Sequence, residues 1–411
     1  MTFDFNFYSS LLLIFFVHGT VYAAMLYSKS CVRDSTSEKW LSFFVVLCLL
    51  YIAPWMLGFA GWYDNQPYRD ILFYLPLQHI YLIGPVMFFY VQSLLNPSFG
   101  FSKKEWIQLL PGILYILYSI VMAVTDKLVL NRYYFLADES DRDFDSWYQW
   151  TGFISMILYF IISYRYYVFY KRLMLQVVSF ADVVAFSWIR NFLIAFLTML
   201  IIQLVFSVMS LLFPEAGSYV GTWWYFLCFA IIFYYIAISG YSNAVETKIA
   251  FVPNLIRYKP TLLINHQPAQ LQLAAEFVES EVIELIENDS GAFNQLIDNL
   301  DEWKSKVNHL FSNEKVYESE GLTLTQVAKM LQTNASFMSA LINKGFGVNF
   351  NDFVNKYRVD AVKNRLLSGE HKIKTLLSIA FECGFNSKAT FNRAFKKHAG
   401  GNPKDFIEDI S

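Results

Sequence analysis

The stretch that decides the fold lies near the end of the chain, Leu376 to Pro403: LLSIAFECGFNSKATFNRAFKKHAGGNP. Leu376, Ile379 and Ala380 share one side of a short amphipathic helix, and the turn Gly384-Phe385 ends it. Phe391, Ala394 and Phe395 then mark the buried side of a second short helix. Two short helices across a tight turn form a helix-turn-helix, whose second member fits a DNA major groove. The pattern occurs twice. Leu324, Val327 and Ala328 stand 52 residues before Leu376, Ile379 and Ala380, and the turn Gln332-Thr333 follows, with Asn334 suited to cap the next helix. Met338, Leu341 and Ile342 precede Phe391, Ala394 and Phe395 by 53 residues, because the second copy has one extra residue. Ala328 and Ala380 are small where two helices must approach closely. Between the copies, Phe353, Val354, Tyr357, Val359, Val362, Leu366 and Leu367 predict one long helix over 351–367.

These motifs, LTLTQVAKMLQTNASFMSALIN, NFNDFVNKYRVDAVKNRLL and LLSIAFECGFNSKATFNRAFKKHAGGNP, together resemble the AraC-type (arabinose-regulator-like) family of bacterial transcription regulators. Ala380, Gly384, Phe385, Phe391, Arg393, Phe395, Lys396, Gly400 and Pro403 fall where the family pattern expects them. The match runs from about Thr323 to Phe406. The whole layout resembles a membrane-anchored form of that family with a seven-span N-terminal region. The resemblance implies two helix-turn-helix units on one rigid scaffold, their reading helices in successive major grooves about 34 Å apart. It also implies double-stranded promoter DNA, RNA polymerase and a second copy of the chain as partners.

With Phe391, Ala394 and Phe395 turned inward, Lys388, Asn392, Arg393 and Lys396 face outward on the second reading helix. Arginine pairs bidentately with guanine and asparagine with adenine, each worth about 1–3 kcal/mol of discrimination. Lys396 and Lys397 suit phosphates. The first reading helix exposes Ser336, Phe337, Ser339, Ala340 and Asn343, with Lys344 beyond. Ala340 stands at the position equivalent to Arg393, and Gln332 at that of Gly384. The first unit is therefore expected to make modest, A/T-type contacts. Ile407 also replaces an arginine frequent in the family.

Upstream the chain changes character. Of 411 residues, 55% are hydrophobic and 16% charged, below the roughly 25% usual in soluble domains. Residues 1–240 hold only 27 of the 66 charged residues. Neither a uniformly soluble enzyme nor a disordered chain is expected. Seven stretches are apolar enough to cross a bilayer: about 6–28, 40–61, 70–95, 105–125, 148–170, 188–213 and 219–240. Trp40, Trp62, Trp106, Trp147, Trp188 and Trp223 fall near their ends, as an interfacial belt would place them. With the N-terminus outside, inner loops carry Lys29, Arg33, Lys39, Lys103, Lys104, Lys171 and Arg172, while outer ones carry Arg69, Lys127, Arg132 and Arg142. That bias puts the C-terminal domain in the cytoplasm, under the inner (cytoplasmic) membrane. The N-terminus lacks the positive charge of a cleaved signal, so the first stretch is expected to remain as a span. Asp138, Glu139, Asp141, Asp143 and Asp145 crowd one outer loop. Asp141-x-Asp143-x-Asp145 resembles the opening of a calcium loop, but Ser146 and Gly152 replace the required Gly and Glu, so a solvated acidic loop is expected.

The expectation is thus an all-α chain in three parts: a seven-helix transmembrane bundle over 1–240, a juxtamembrane and helical connector over 241–314, and the DNA-binding domain over 315–411. Their net charges differ: −1 for 1–240, +2 for 241–259, −8 for 260–314 and +5 for 315–411. A basic compact domain is a footprint for polyanions. In the connector, 269–288 and 292–310 read as helices that could dimerise, transmit a signal, or pack under the next domain. Four scattered cysteines give neither a disulfide framework nor metal spacing. No catalytic residues, cofactor or metal are expected, since no phosphate loop, HExxH or GxSxG occurs. The leading reading is a regulator in the lipid bilayer that couples an unidentified signal or small-molecule ligand to promoter binding. The alternatives are a membrane transporter or enzyme with a regulatory tail, and a membrane scaffold whose DNA-binding surface has decayed.

Overall fold

The computed structural model describes residues 3–96, 99–138, 140–179, 186–242, 251–252, 261–262 and 299–410. The fold is all-α. Among the described residues the sole strands are a two-residue antiparallel ladder, Phe251–Val252 on Thr261–Leu262. The chain forms two compact units, Met1–Tyr167 with Ser187–Lys248, and Val168–Phe186 with Ile249–Ser411.

In the first unit the helices are α1 (Phe7–Arg33), α2 (Thr36–Phe59), α3 (Tyr68–Tyr74), α4 (Ile80–Leu95), α5 (Lys103–Ala123), the start of α6 (Ser146–Val177), α7 (Phe186–Leu212) and α8 (Tyr219–Ser242). Asn6 caps α1 by accepting from Ser9 N, and Ser35 caps α2. Among the described residues, six helices are long and apolar enough to cross a membrane. The expected third span differs: it is broken between α3 and α4. Pro76 has no N–H to continue a helix, and α4, with 16 residues, reaches about 24 Å, short of a hydrocarbon core of about 30 Å.

The break is closed by the acidic loop. Leu77 N and Gln78 N donate to an Asp143 carboxylate oxygen at 2.8 and 2.9 Å, and Tyr115 O–H donates to the other at 2.8 Å. Tyr63 O–H donates to Asp141 at 2.8 Å. Both carboxyls are buried, so the expected solvated loop is corrected for these two residues: the amides freed at the helix break need Asp143 as acceptor, and Asp141 accepts from the Tyr63 hydroxyl. Burial raises both carboxyls above the ordinary carboxylate range, and the neighbouring Asp143 adds repulsion at Asp141. Arg142 pairs outward with Asp138 and Asp145. Two of the tryptophans near the span ends are buried within the protein. Trp188 Nε1 donates to Tyr90 Oη at 2.6 Å, and Trp223 Nε1 to Tyr8 O at 3.1 Å.

Of the two connector helices, 269–288 lies outside the described residues. The second is described only as α9 (Leu300–Ser312), whose Val307, Leu310 and Phe311 are buried in the core of the domain that follows.

Candidate nucleic-acid interface

The second unit builds its helices from well-capped short segments. Helix α10 (Leu324–Met330) opens with a capping box: Thr323 accepts from Gln326 N while the Gln326 side chain accepts from Thr323 N. Asn334 caps α11 (Ala335–Ala340), accepting from Phe337 N at 2.7 Å, and a π-turn over Leu341–Gly345 ends it. Asn349 caps α12 (Phe350–Leu367). Thr375 and Ser387 cap α13 (Leu376–Glu382) and α14 (Lys388–Ala399), and α15 (Pro403–Ile410) closes the domain. Helix α12 is the rod predicted between the copies. Its first half, with Phe350, Phe353 and Val354, enters a core with Val327, Ala328, Met338 and Leu341. Its second half, with Val359, Val362 and Leu366, enters another with Ile379, Ala380, Phe391 and Phe395. Leu367, the last apolar position of the rod, is 61% exposed at its end.

On α14 the predicted outward residues Lys388, Asn392, Arg393, Lys396 and Lys397 are all exposed, while Phe391, Ala394 and Phe395 are buried. Lys397 is already engaged, its Nζ 2.6 Å from Asp352 Oδ1. The first copy presents less. Helix α11 has six residues against twelve in α14. Phe337, expected to be exposed, is half-buried with its ring edge-to-face on Trp303 at 4.9 Å, because α9 lies against it. Ala340 also packs on that core. Asn343 Nδ2 donates to Ser339 Oγ at 3.3 Å, so these two half-buried residues partly satisfy each other. The Ser336 side chain lies outside the described residues.

The two turns use the same backbone with different residues. Gly384 has φ +91° and Gln332, at the equivalent position, φ +55°. A Cβ on Gly384 would lie 2.2 Å from Tyr317 O, so that turn admits glycine alone.

Sequence reasoning missed the residue on which this region converges. Arg358 is 1% exposed. Its Nε donates to Tyr317 O at 2.8 Å, and one terminal nitrogen donates to Ser319 O at 2.7 Å and Ser179 Oγ at 3.2 Å. Burial lowers its pKa to about 10, which leaves it cationic at neutral pH. Asn351 Nδ2 donates to Ser179 O at 2.9 Å, Ser179 N donates to Leu322 O at 3.2 Å, and Val178 forms a β-bridge with Thr323. The segment directly after α6 is therefore an integral part of this unit. The signal was present: Arg358 sits at i+4 between Val354 and Val362, on the buried face of α12.

No group of three or more His, Cys, Asp or Glu residues placed to hold a metal occurs among the described residues. Residues 327–409 match the family described as a helix-turn-helix domain. An uncharacterised HTH-type transcriptional regulator of Bacillus subtilis (strain 168), YtdP, is 31% identical over 98 residues, 24% of this chain and 12% of its own. A second, from Staphylococcus aureus (strain COL), is 30% identical over 104 residues, 25% of this chain and 14% of its own. The chain thus spans about an eighth of the length of these relatives. A solved structure described as a protein of unknown function from Listeria innocua is 27% identical and covers 26% of this chain and 96% of its own, with a TM-score of 0.23. The C-terminal region is a helix-turn-helix domain of the kind found in transcription regulators.

Proposed function

We propose that this chain is a membrane-bound, sequence-specific DNA-binding transcription regulator of AraC type that couples a membrane or extracytoplasmic signal to promoter binding. Two helix-turn-helix units mounted on the single rod α12, one displaying Lys388, Asn392, Arg393 and Lys396, carry the proposal. In this reading Arg393 and Asn392 read bases, and Lys388, Lys396 and Lys397 meet phosphates. Ser336, Ser339 and Asn343 supply the weaker contacts of the first unit, with Phe337 and Ala340 mainly supporting its helix.

The division into 1–240, 241–314 and 315–411 belongs to the same proposal. Helices α3 and α4 together count as the seventh, broken span, as in membrane proteins where irregular backbone is buried by protein. The N-terminus is then outside and the DNA-binding domain cytoplasmic, in agreement with the lysine and arginine bias of the loops. Coupling is supported by Val178 and Ser179, which follow a 32-residue helix directly and are built into the seat of Arg358. A homodimer and RNA polymerase are the partners this reading adds.

The test is binding by the full-length protein in lipid nanodiscs to DNA sites recovered by genome-wide capture. Arg393→Ala is expected to cost about 1–3 kcal/mol on captured sites and little on unrelated DNA. Salt-insensitive binding, equal for wild type and variant, would refute the proposal.

A further inference from the structure

A cavity of about 310 Å³ lies within the first unit, lined by residues of α2, α6, α7 and α8 together with Phe144 and Ala216. That volume falls at the lower end for small-molecule sites, about 300–1,000 Å³. Its wall is aromatic. Trp55 stacks on Phe226 with ring centroids 4.6 Å apart, and Tyr51 and Tyr225 line the same space. None of the lining residues carries a formal charge, so a charged occupant would find no counter-ion there.

The polar groups around the cavity leave an unmatched remainder. Gln149 Nε2 donates to Gln78 Oε1 at 2.7 Å and to Asp143 O at 2.6 Å, which fixes the amide and leaves Gln149 Oε1 with no donor among the described residues. Tyr51 and Tyr225 share one hydrogen bond at 3.0 Å. Whichever hydroxyl donates, the other keeps a hydrogen without an acceptor among the described residues. Gln203, on the apolar helix α7, lines the cavity, and its amide makes no hydrogen bond among the described residues. Polar groups left unpaired on a largely apolar wall cost free energy, so such a set marks what an occupant must bring.

We infer that this cavity is a binding site for an uncharged, aromatic small molecule carrying at least one hydrogen-bond donor and one acceptor. The ring meets the Trp55 and Phe226 wall, the donor meets Gln149 Oε1, and the acceptor meets the spare tyrosine hydrogen or the Gln203 amide. An acyl chain would fill the same space and leave these groups unsatisfied, together with Trp55 Nε1, which is buried on the same wall without a partner among the described residues. That the occupant is the signal controlling DNA binding rests on the function proposed above; the site itself does not.

The probe is 4-hydroxybenzophenone, which is aromatic, photoreactive, uncharged at mildly acidic pH, and carries a phenol donor and a ketone acceptor. Full-length protein in nanodiscs is irradiated with it, or with benzophenone, which lacks the hydroxyl, and labelled peptides are mapped by mass spectrometry. The hydroxylated probe is expected to label cavity-lining residues selectively. Gln203→Leu, which keeps the side-chain bulk, is expected to lower that labelling about fivefold or more. Ser207→Trp, which fills the cavity, is expected to abolish it. Labelling concentrated on Ile201 and Leu204, which are exposed on α7, would overturn the site. Equal cavity labelling by both probes with no effect of Gln203→Leu would overturn it too, and would identify hydrocarbon as the occupant. Cavity labelling with DNA affinity unchanged by the probe supports the site and unseats the coupling instead.

Discussion

Exchanging the residues of the two turns, Gly384 and Gln332, separates backbone strain from steric exclusion. Both adopt positive φ, so Gly384→Ala and the existing Gln332 carry a comparable left-handed cost of about 1–2 kcal/mol. Only Gly384 is also hemmed in. A Cβ there lies 2.2 Å from Tyr317 O and 2.9 Å from Arg358 Nε, and the carbonyl is the one that accepts from Arg358. Moving that backbone costs about 1–3 kcal/mol as overpacking. Weakening the charged hydrogen bond adds about 1.5–3 kcal/mol. After partial relaxation, Gly384→Ala is expected to destabilise the second helix-turn-helix by roughly 3–6 kcal/mol. Hydrogen exchange of α13 and α14 amides in the full-length protein reads this directly, as an opening equilibrium raised more than about a hundredfold. Gln332→Gly relieves strain and adds chain entropy, so its net effect stays within about 1 kcal/mol. Wild-type protection in Gly384→Ala would refute the steric argument.

Arg358→Met leaves the carbonyls of Tyr317 and Ser319 without their donor, and it is expected to cost about 3–5 kcal/mol, with faster exchange at Val178 and Ser179. Asn351→Leu is the milder probe of the same seat. If the segment carries the signal, the variant binds DNA normally but no longer responds to the membrane half, a difference seen by comparing affinities with and without an occupant of the cavity. Because burial raises Asp141 and Asp143 above their unfolded values, the stability they contribute is present in acid and declines as pH rises through the raised values. Tryptophan-monitored melting should therefore fall from mildly acidic to alkaline pH in wild type, and fall less in Asp141→Asn. Lys397→Ala loses one exposed ion pair, under about 1 kcal/mol of stability, and is expected to weaken binding to all DNA alike while reducing the salt slope by about one.

The tandem domain was legible because its signals are local. Asn334 announces a helix start, and Gly384 announces a turn that only glycine fits. The apolar spacing of Phe391, Ala394 and Phe395 fixes which side of α14 remains outside. What sequence could not supply were contacts between distant segments. Phe337 reads as exposed until Trp303 is brought against it, and the buried register of Arg358 shows no partner until three carbonyls and the Ser179 hydroxyl surround it. The acidic loop misled for the same reason. Its aspartates look solvated because the two amides that Asp143 satisfies, and the Tyr63 hydroxyl that donates to Asp141, lie 65 residues or more upstream. The third span was read as continuous because Pro76 is ordinary in a membrane helix when neighbours can re-satisfy the backbone.

That long-range clasp has a consequence for biogenesis. The amides of Leu77 and Gln78 leave the ribosome well before the aspartate that accepts from them, and at about 5–20 residues per second the interval is roughly 3–13 s. In the membrane reading proposed above, the broken α3–α4 span cannot settle in hydrocarbon as a finished element during this time, since its bend still has two naked donors. Its final seating therefore waits on synthesis of Asp143, and nascent chains arrested before that residue would hold the segment in a wetter place, within the insertion machinery or at the headgroups.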